Sequence, residues 1–441
     1  MLTLVLYNVI FLVFLLMMSV PLPFCFGGAL AFMAIFGGAS MRSMMLWGFN
    51  QMISPILVAS PLFILAGTII AFSGVAKQLL NFTDIFIGRI KGGIGIVAVT
   101  TCALIGAISG SGFTGVAATG PILIPRMVEE GYPRGYATAL VTVSSILGLL
   151  IPPSVIMIFY GWVTDTSILA AFLSTVGPGL TIVILFSVIN MIWVRKFPDV
   201  QKIIDEKKRI AAEEKTKKES KAKKIIRAIP ALSLPVIILG GIYGGVFTPT
   251  EAAAVAAVVA VPIGFFIYKE LNKTTFLNAV TESSISIGAI MTMITFTLML
   301  SQTYVLLRVP QAIIEILFAV TTNRIILLII INLFLFLVGM IVNDVTGMIL
   351  VAPLLLPLVI QLGISPIHFA AIMGVNLAMG GVTPPYASIL YLGMRIGKCE
   401  FSEILGPTMV FLLFGYVPVV FLTTFWPPIA MYLPTLFGFV R

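Results

Sequence analysis

The sequence predicts an all-α polytopic membrane protein, and three observations support this fold class. Charged residues make up 10% of the 441 residues, whereas soluble domains carry about 25%. The hydrophobic fraction is 59%, and apolar stretches of about 20 residues, the length of a membrane-spanning helix, recur from end to end. The charges that do occur are concentrated, because 13 of the 26 Lys and Arg residues lie between Arg195 and Arg227.

The first half of the chain, residues 1–194, is predicted to contain five spanning helices, a surface helix and a hairpin. The hairpin covers 93–130 and the more polar surface helix 74–91. The spans are predicted at 3–20, 24–39, 52–73, 134–163 and 168–194. The fourth span contains tandem prolines, which remove two N–H donors, so it is expected to be a broken helix.

The second half, residues 229–441, repeats this order. Its surface helix is predicted at 306–323 and its hairpin at 325–362. The spans are predicted at 230–247, 250–268, 284–305, 366–394 and 402–426. The span at 366–394 again contains tandem prolines and is the second predicted broken helix.

A constant shift of 232 residues relates the two halves. Residues 114–161 align with 346–393 without gaps, and 12 of the 48 positions are identical. Most of the identities are Gly or Pro, which set the local path of the backbone, so the halves share a set of bends. An odd number of crossings per half places the halves in opposite orientations, which predicts an inverted repeat.

The segment 195–228 is predicted to be a charged cytoplasmic loop. It holds most of the net charge of +9, and its mixed Lys and Glu composition indicates a solvated loop rather than a nucleic-acid site. If it is cytoplasmic, 22 of the 26 Lys and Arg residues fall on that side, as the positive-inside rule requires. This count holds when both hairpins are re-entrant, the first from the cytoplasm and the second from outside.

The two hairpin turns read GAISGSGFTG at 106–115 and VGMIVNDVTG at 338–347. Irregular backbone at membrane depth must be buried in protein or line a polar cavity. Asp344 is the only charged residue between Ile325 and Met394, and a lone intramembrane carboxylate indicates a functional site. A structural role is also open, in which Asp344 caps the helix that follows it. The two interpretations are compatible.

Each broken helix faces a hairpin turn in the predicted topology, with the sequences GLLIPPS at 148–154 and GGVTPPY at 380–386. Tandem prolines free the carbonyl groups one turn earlier. Those carbonyls, with nearby Ser and Thr hydroxyls, are hard oxygen ligands suited to a small alkali cation, while half-helix N-termini favour an anion. A kink that only shapes packing is the alternative, but breaks at symmetry-related positions argue against it.

These motifs together resemble the large membrane subunit of tripartite ATP-independent periplasmic (TRAP) transporters, within a superfamily of inverted-repeat transporters. The resemblance covers essentially the whole chain. It implies sodium-coupled uptake of an organic acid such as a sialic acid or a C4-dicarboxylate. It also implies two partners, a small four-helix membrane subunit and a periplasmic substrate-binding protein. Because the chain starts with the first helix of the family, the small subunit is expected to be a separate polypeptide.

The resemblance also implies positions for about two sodium ions and for the substrate. The first sodium site would use residues of the first tip and first break: Ser109, Ser111, Gly112, Gly148 and Ile151. The second would use residues of the second tip and second break: Asn343, Asp344, Thr346, Gly380 and Thr383. The substrate would lie between the tips, against Ser109, Ser154, Asp344 and Thr383.

The expected mechanism is an elevator, in which hairpins and broken helices form a transport domain that moves past a scaffold in the bacterial inner membrane. A stand-alone sodium/dicarboxylate symporter of the same superfamily is the nearest alternative. An intramembrane enzyme is disfavoured, because an aspartyl protease needs two membrane carboxylates and only Asp344 lies deep. A channel is the third alternative, and the paired hairpins favour occlusion over an open pore.

Overall fold

The structure is a computed structural model that describes residues 2–38, 40–88, 90, 92–197, 200, 203 and 221–439. Most of the predicted loop at 195–228 lies outside these residues. The regular secondary structure of the described residues is helical. The helices of the first half are α1 (Leu2–Met17), α2 (Leu22–Phe36), α3 (Met41–Met52), α4 (Ala59–Phe72), α5 (Val75–Ile87), α6 (Gly93–Ser109), α7 (Gly112–Glu129), α8 (Arg134–Ser145), α9 (Val155–Thr164) and α10 (Ile168–Val194).

The second half contributes eleven further helices among the described residues. They are α11 (Lys221–Tyr243), α12 (Pro249–Pro262), α13 (Lys273–Leu306), α14 (Val309–Val320), α15 (Arg324–Ile341), α16 (Asp344–Gln361), α17 (Pro366–Gly380), α18 (Ser388–Gly397), α19 (Phe401–Val410), α20 (Val417–Phe425) and α21 (Pro428–Leu436). A π-helical segment, Phe411–Tyr416, joins α19 to α20, and a second, Ile263–Ile267, extends α12. Short 3₁₀ segments precede α4 at Pro55–Val58 and follow α8 at Ile146–Leu149.

Eight helices of the described residues are long and apolar enough to cross a membrane. This confirms the prediction of an all-helical, multi-pass membrane protein. The eight include α15 and α16, the two arms of the second hairpin, at 18 residues each. Helix length therefore does not separate re-entrant arms from full crossings, and the re-entrant assignment and the inverted repeat stay predictions.

Two helices were not predicted from the sequence, and a third starts earlier than predicted. α3 forms between the second and third predicted spans, where Ser40 caps it by accepting a hydrogen bond from the Ser43 N–H. α13 starts at Lys273, well before the predicted span at 284–305, because Asn272 and Thr275 form a capping box there. α21 follows the last predicted span.

Each hairpin packs against one broken helix. α6 and α7 contact α8, and α15 and α16 contact α17. The peptide bonds Pro152–Pro153 and Pro384–Pro385, which follow α8 and α17, are both cis. Beyond these bonds the chain crosses to the other hairpin, because α9 packs on α16 and α18 packs on α7. The two hairpins and two broken helices therefore form one packed unit.

Glycines allow the hairpins to approach the broken helices at backbone contact. A Cβ atom at Gly148 would lie 3.2 Å from the Cα of Gly106, and one at Gly339 would lie 3.2 Å from the Cα of Gly380. A side chain at Gly148 or Gly339 would collide with the backbone of the facing segment. The repeated Gly and Pro residues thus mark the places where the helices touch or break.

We expect Gly380→Ala to destabilise the fold, because its Cβ would overlap the Gly339 carbonyl group. Overpacking of this kind costs about 1–3 kcal/mol. Gly240→Ala in α11 is the matched control, since a Cβ there meets nothing within 4 Å and alanine favours a helix by up to about 1 kcal/mol. Thermal unfolding of the purified protein, followed by tryptophan fluorescence, measures both. Equal melting temperatures for the two variants would contradict the proposed backbone contact.

Candidate functional site

The tip of the first hairpin is a two-residue turn that is hydrogen-bonded to the first break. Gly110 adopts φ +63° and ends α6, and its N–H donates to the Gly106 carbonyl at 2.9 Å. Glycine takes this left-handed conformation without steric cost, which allows the sharp reversal. The Val155 N–H, directly after the break, donates to the Gly110 carbonyl at 3.3 Å. The structure therefore places the first tip against the first break.

The predicted polar residues of this tip and break are buried, with their hydroxyl hydrogens already in use. Ser109 and Ser154 are fully buried. The Ser109 hydroxyl donates to the Ile105 carbonyl at 3.0 Å, and the Ser154 hydroxyl donates to the Leu149 carbonyl. A hydroxyl that donates its hydrogen keeps its oxygen lone pairs. In this conformation both oxygens are suited to bind a cation and do not offer a hydrogen to a carboxylate.

Of the other residues predicted for the first sodium site, Ser111, Gly112 and Gly148 lie close to this turn, and Ile151 was predicted to contribute its backbone carbonyl. A Cβ on Gly148 would lie 2.7 Å from the Ser111 carbonyl oxygen, and one on Gly112 would lie 3.4 Å from the Ser145 carbonyl oxygen. The side chain of Ile151 instead faces α10, where its Cγ1 would lie 3.2 Å from a Cβ on Gly179. Ile151 can contribute its backbone carbonyl to such a site but not its side chain.

The second tip is organised by Asn343 and Asp344 at the start of α16. Asn343 is the N-cap residue, and its Oδ1 accepts from the Val345 N–H at 2.9 Å. Asp344 lies in the first turn and is 8% exposed. A carboxylate in the first turn is favoured by the helix dipole. The helix cap itself is supplied by Asn343, not by Asp344.

The second break is fixed in a similar way. The Tyr386 N–H donates to the Met340 carbonyl at 3.2 Å, and the Thr383 hydroxyl donates to the Met379 carbonyl at 2.7 Å. Near the start of α16, Thr346 is 1% exposed, and its Oγ1 has no hydrogen-bond partner among the described residues. The lone pairs and the hydrogen of this hydroxyl are therefore unused by the described residues.

The side chain of Ile389 in α18 lies between the first tip and the second break. Its Cδ1 would lie 2.8 Å from a Cβ on Gly112 at the first tip and 3.1 Å from one on Gly381 at the second break. On its other side the first tip contacts α4, where a Cβ on Gly67 would lie 2.9 Å from the Thr114 Oγ1. An apolar side chain therefore separates the first tip from the second break at this point.

Sequence reasoning missed several residues of this region. Tyr386 was included in the second break but not proposed as a site residue, although its backbone N–H donates to the Met340 carbonyl and so joins this break to the second hairpin. Ser144 and Asn376 are related by the 232-residue shift, and the side-chain oxygen of each is buried without a partner among the described residues. The repeat alignment could have identified this pair, because Ser144 and Asn376 each lie one helical turn before the aligned glycines Gly148 and Gly380.

The fold and the site define a multi-pass helical transport protein, and comparisons with known proteins identify its family. The model of the family "Tripartite ATP-independent periplasmic transporter, DctM component" matches residues 9–429. The chain belongs to this family. The predicted resemblance to TRAP large subunits is confirmed, and so is the prediction of a transporter subunit rather than an enzyme.

Named relatives cover most of the chain. The isethionate TRAP transporter permease protein DctMQ of Oleidesulfovibrio alaskensis is 31% identical over 96% of this chain, which spans 66% of that longer relative. The C4-dicarboxylate TRAP transporter large permease protein DctM of Vibrio cholerae is 34% identical over 86% of each chain. A crystal structure of the YdaH transporter from Alcanivorax borkumensis has a TM-score of 0.53 at 17% identity, covering 88% of this chain and 89% of that one. That last likeness concerns the fold alone.

We expect Asp344→Asn to abolish uptake while the protein still inserts in the membrane. The substitution keeps the size of the side chain and removes the charge at the second tip, which a bound cation would need. Asp165→Asn is the matched control, because Asp165 is exposed at φ +51° after α9, a conformation that asparagine adopts readily. Uptake and membrane yield of the two variants measure the effect. Normal uptake by Asp344→Asn would rule out a functional charge at this position.

Proposed function

We propose that the protein is the large subunit of a sodium-coupled secondary transporter for the uptake of an organic acid. A sialic acid, a C4-dicarboxylate or a similar carboxylate, delivered by a periplasmic substrate-binding protein, is the expected substrate. A small four-helix membrane subunit would complete the transporter in the bacterial inner membrane. Membership of the DctM family supports the transporter class and both partners, and the chemistry of the hairpin tips supports the cation.

The observation that carries the sodium proposal is the unpaired hydroxyl of Thr346. A buried hydroxyl without a partner costs about 1–3 kcal/mol, and a cation bound to the Thr346 oxygen would offset that cost. The residues proposed for the second site, Asn343, Asp344, Thr346, Gly380 and Thr383, would supply amide, hydroxyl and carbonyl oxygens with one carboxylate, that of Asp344. Hard oxygen donors of low total charge suit a small monovalent cation better than a transition metal.

Sodium would also make Asp344 compatible with an anionic substrate. A bare carboxylate at the second tip would repel a substrate carboxylate, whereas a cation beside Asp344 offsets that charge. The hydroxyls of Ser109, Ser154 and Thr383 act as donors to the backbone in this conformation. Their hydrogens would have to be released before they could hold a substrate carboxylate. Sodium binding would therefore precede substrate binding.

The packing favours an elevator cycle. The two hairpins and the two broken helices contact one another crosswise, so they can move together as a transport domain. The scaffold would be formed by α1, α2, α11 and α12, with α5 and α14 as the connecting surface helices. Movement of a packed unit past a scaffold would carry both tips across the membrane without unpairing their backbone groups.

We expect Thr346→Val to raise the sodium concentration for half-maximal uptake by about tenfold, because one oxygen ligand is lost in a nearly isosteric change. Thr297→Val is the matched control, since Thr297 is fully buried in α13 and its hydroxyl bonds to the Met293 carbonyl. Sodium titrations of uptake into proteoliposomes provide the measurement. An unchanged sodium dependence in Thr346→Val, or an equal change in both variants, would remove Thr346 from the site.

Reconstitution by omission tests the proposed function and separates it from the stand-alone symporter. Proteoliposomes would contain this chain with or without the small subunit, and the substrate would be supplied free or bound to the binding protein. We expect uptake with all three components and little uptake when either partner is left out. Transport of free substrate by the purified chain alone would favour the stand-alone symporter.

A further inference from the structure

The surface helix α5 lies between the first hairpin and the start of the second half. It packs on α6 and α7 on one side and on α11 on the other. Its buried residues share one face of the helix: Val75, Ala76, Leu79, Leu80 and Thr83. A helix in this position either moves with the hairpin or stays with the remainder of the chain when the two move relative to each other.

The C-terminal half of α5 is attached to both arms of the first hairpin. The hydroxyls of Thr83 and Thr101 lie 2.9 Å apart, and both residues are buried. The Arg126 Nη2 donates to the Asp84 Oδ1 at 2.8 Å, with both side chains largely shielded from solvent. Arg126 also pairs with Glu130 at 3.7 Å. Partly buried, charge-assisted contacts of this kind resist separation.

The N-terminal end of α5 also makes one exposed ion pair to the second half, in addition to its packing on α11. Lys77 Nζ lies 2.8 Å from Glu270 Oε1, and the side chains are 55% and 47% exposed. The segment that carries Glu270 is fixed to α11, because the Tyr268 hydroxyl donates to the Arg227 carbonyl and accepts from the Ala231 N–H, both at 2.9 Å. Exposed ion pairs contribute little to stability and exchange readily with water.

Among the described residues, the second surface helix forms no ion pair with its hairpin. The 232-residue shift carries Lys77 to Val309, Asp84 to Ile316 and Arg126 to Leu358. The same fold element is therefore built at α14 without ion pairs to its hairpin. The contacts of α5 are not required to form such a helix and are specific to the first half.

We propose that α5 is a rigid part of the first hairpin, and that its contact with the second half, formed by packing on α11 and by the Lys77–Glu270 ion pair, is the one that is released. The hinge is Gly74, which adopts φ +80° directly before α5. A Cβ there would lie 2.7 Å from the Glu270 Cγ, so the hinge and the ion pair are adjacent. This inference rests on the proposed function, since it names the contact that opens during transport.

The inference can be tested by replacing each of the two ion pairs with a pair of cysteines and cross-linking both with the same thiol reagent. One variant carries Asp84→Cys and Arg126→Cys, and the other carries Lys77→Cys and Glu270→Cys. Both are made in a background with Cys25, Cys102 and Cys399 changed to alanine. The complete transporter is reconstituted and treated with a flexible bis-thiosulfonate, which a reducing agent removes. Uptake is measured before cross-linking, after it and after reduction.

We expect the 84–126 cross-link to leave most of the uptake intact, because it joins parts that move together. The 77–270 cross-link should lower uptake by about tenfold or more, since conformational steps limit transport, and reduction should restore it. Equal effects of the two cross-links, whether both block or both allow uptake, would overturn the inference, as would the reverse asymmetry.

A readout that does not depend on uptake separates this inference from the proposed function. Spin labels at the same cysteine pairs report short distances through dipolar broadening of the EPR spectrum. We expect the 77–270 distance to change between sodium-free protein and protein with sodium and substrate-loaded binding protein, while the 84–126 distance stays constant. Constant distances in both pairs would contradict the inference. Uptake that shows the cross-linking asymmetry but no sodium dependence would contradict the coupling and leave the attachment intact.

Discussion

Backbone groups that leave the helices inside the membrane must find partners within the protein, because hydrocarbon offers none. In this chain the requirement arises at two hairpin tips and two proline breaks, and each tip region supplies a partner to a break. The Val155 N–H bonds to the Gly110 carbonyl, and the Tyr386 N–H bonds to the Met340 carbonyl. The hydroxyls of Ser154 and Thr383 bond to carbonyls at the ends of the interrupted helices.

These bonds explain why hairpins and broken helices belong to one unit. Separating a tip from its break would leave these backbone groups unpaired, which supports the proposal that the pair moves as one. The same contacts leave the hydroxyl oxygens with free lone pairs and leave the Thr346 hydroxyl unpaired. The architecture that satisfies the backbone therefore leaves hydroxyl oxygens with free lone pairs in the same packed unit as the Asp344 carboxylate, and these are the groups proposed to bind a cation.

The sequence predicted those parts of the structure that depend on backbone chemistry. Gly110, the tandem prolines and Asn343 each impose a local conformation, so the turns and breaks can be located from residue type and spacing. The capping role considered for Asp344 belongs to Asn343, one residue earlier, because both residue types favour helix N-termini and the sequence alone does not choose between them.

Other features depend on contacts between distant segments, which residue type does not reveal. The long α13 and the short α3 and α21 are set by caps and packing outside the hydrophobic runs. Ile389 reaches both the first tip and the second break only because α18 crosses to the other hairpin. The ion pairs of α5 join residues 42 and 193 positions apart. Charges outside the membrane core were used for topology, so their pairing was not predicted.

The most direct measurement of the central claim is accumulation of substrate against its own gradient in proteoliposomes that hold the complete transporter. With an inward sodium gradient and substrate-loaded binding protein outside, we predict that the internal substrate concentration rises above the external one. Replacing the sodium gradient with an equal potassium gradient should abolish this accumulation. Accumulation that persists with potassium alone, or uptake that never exceeds equilibration, would contradict sodium-coupled transport by this protein.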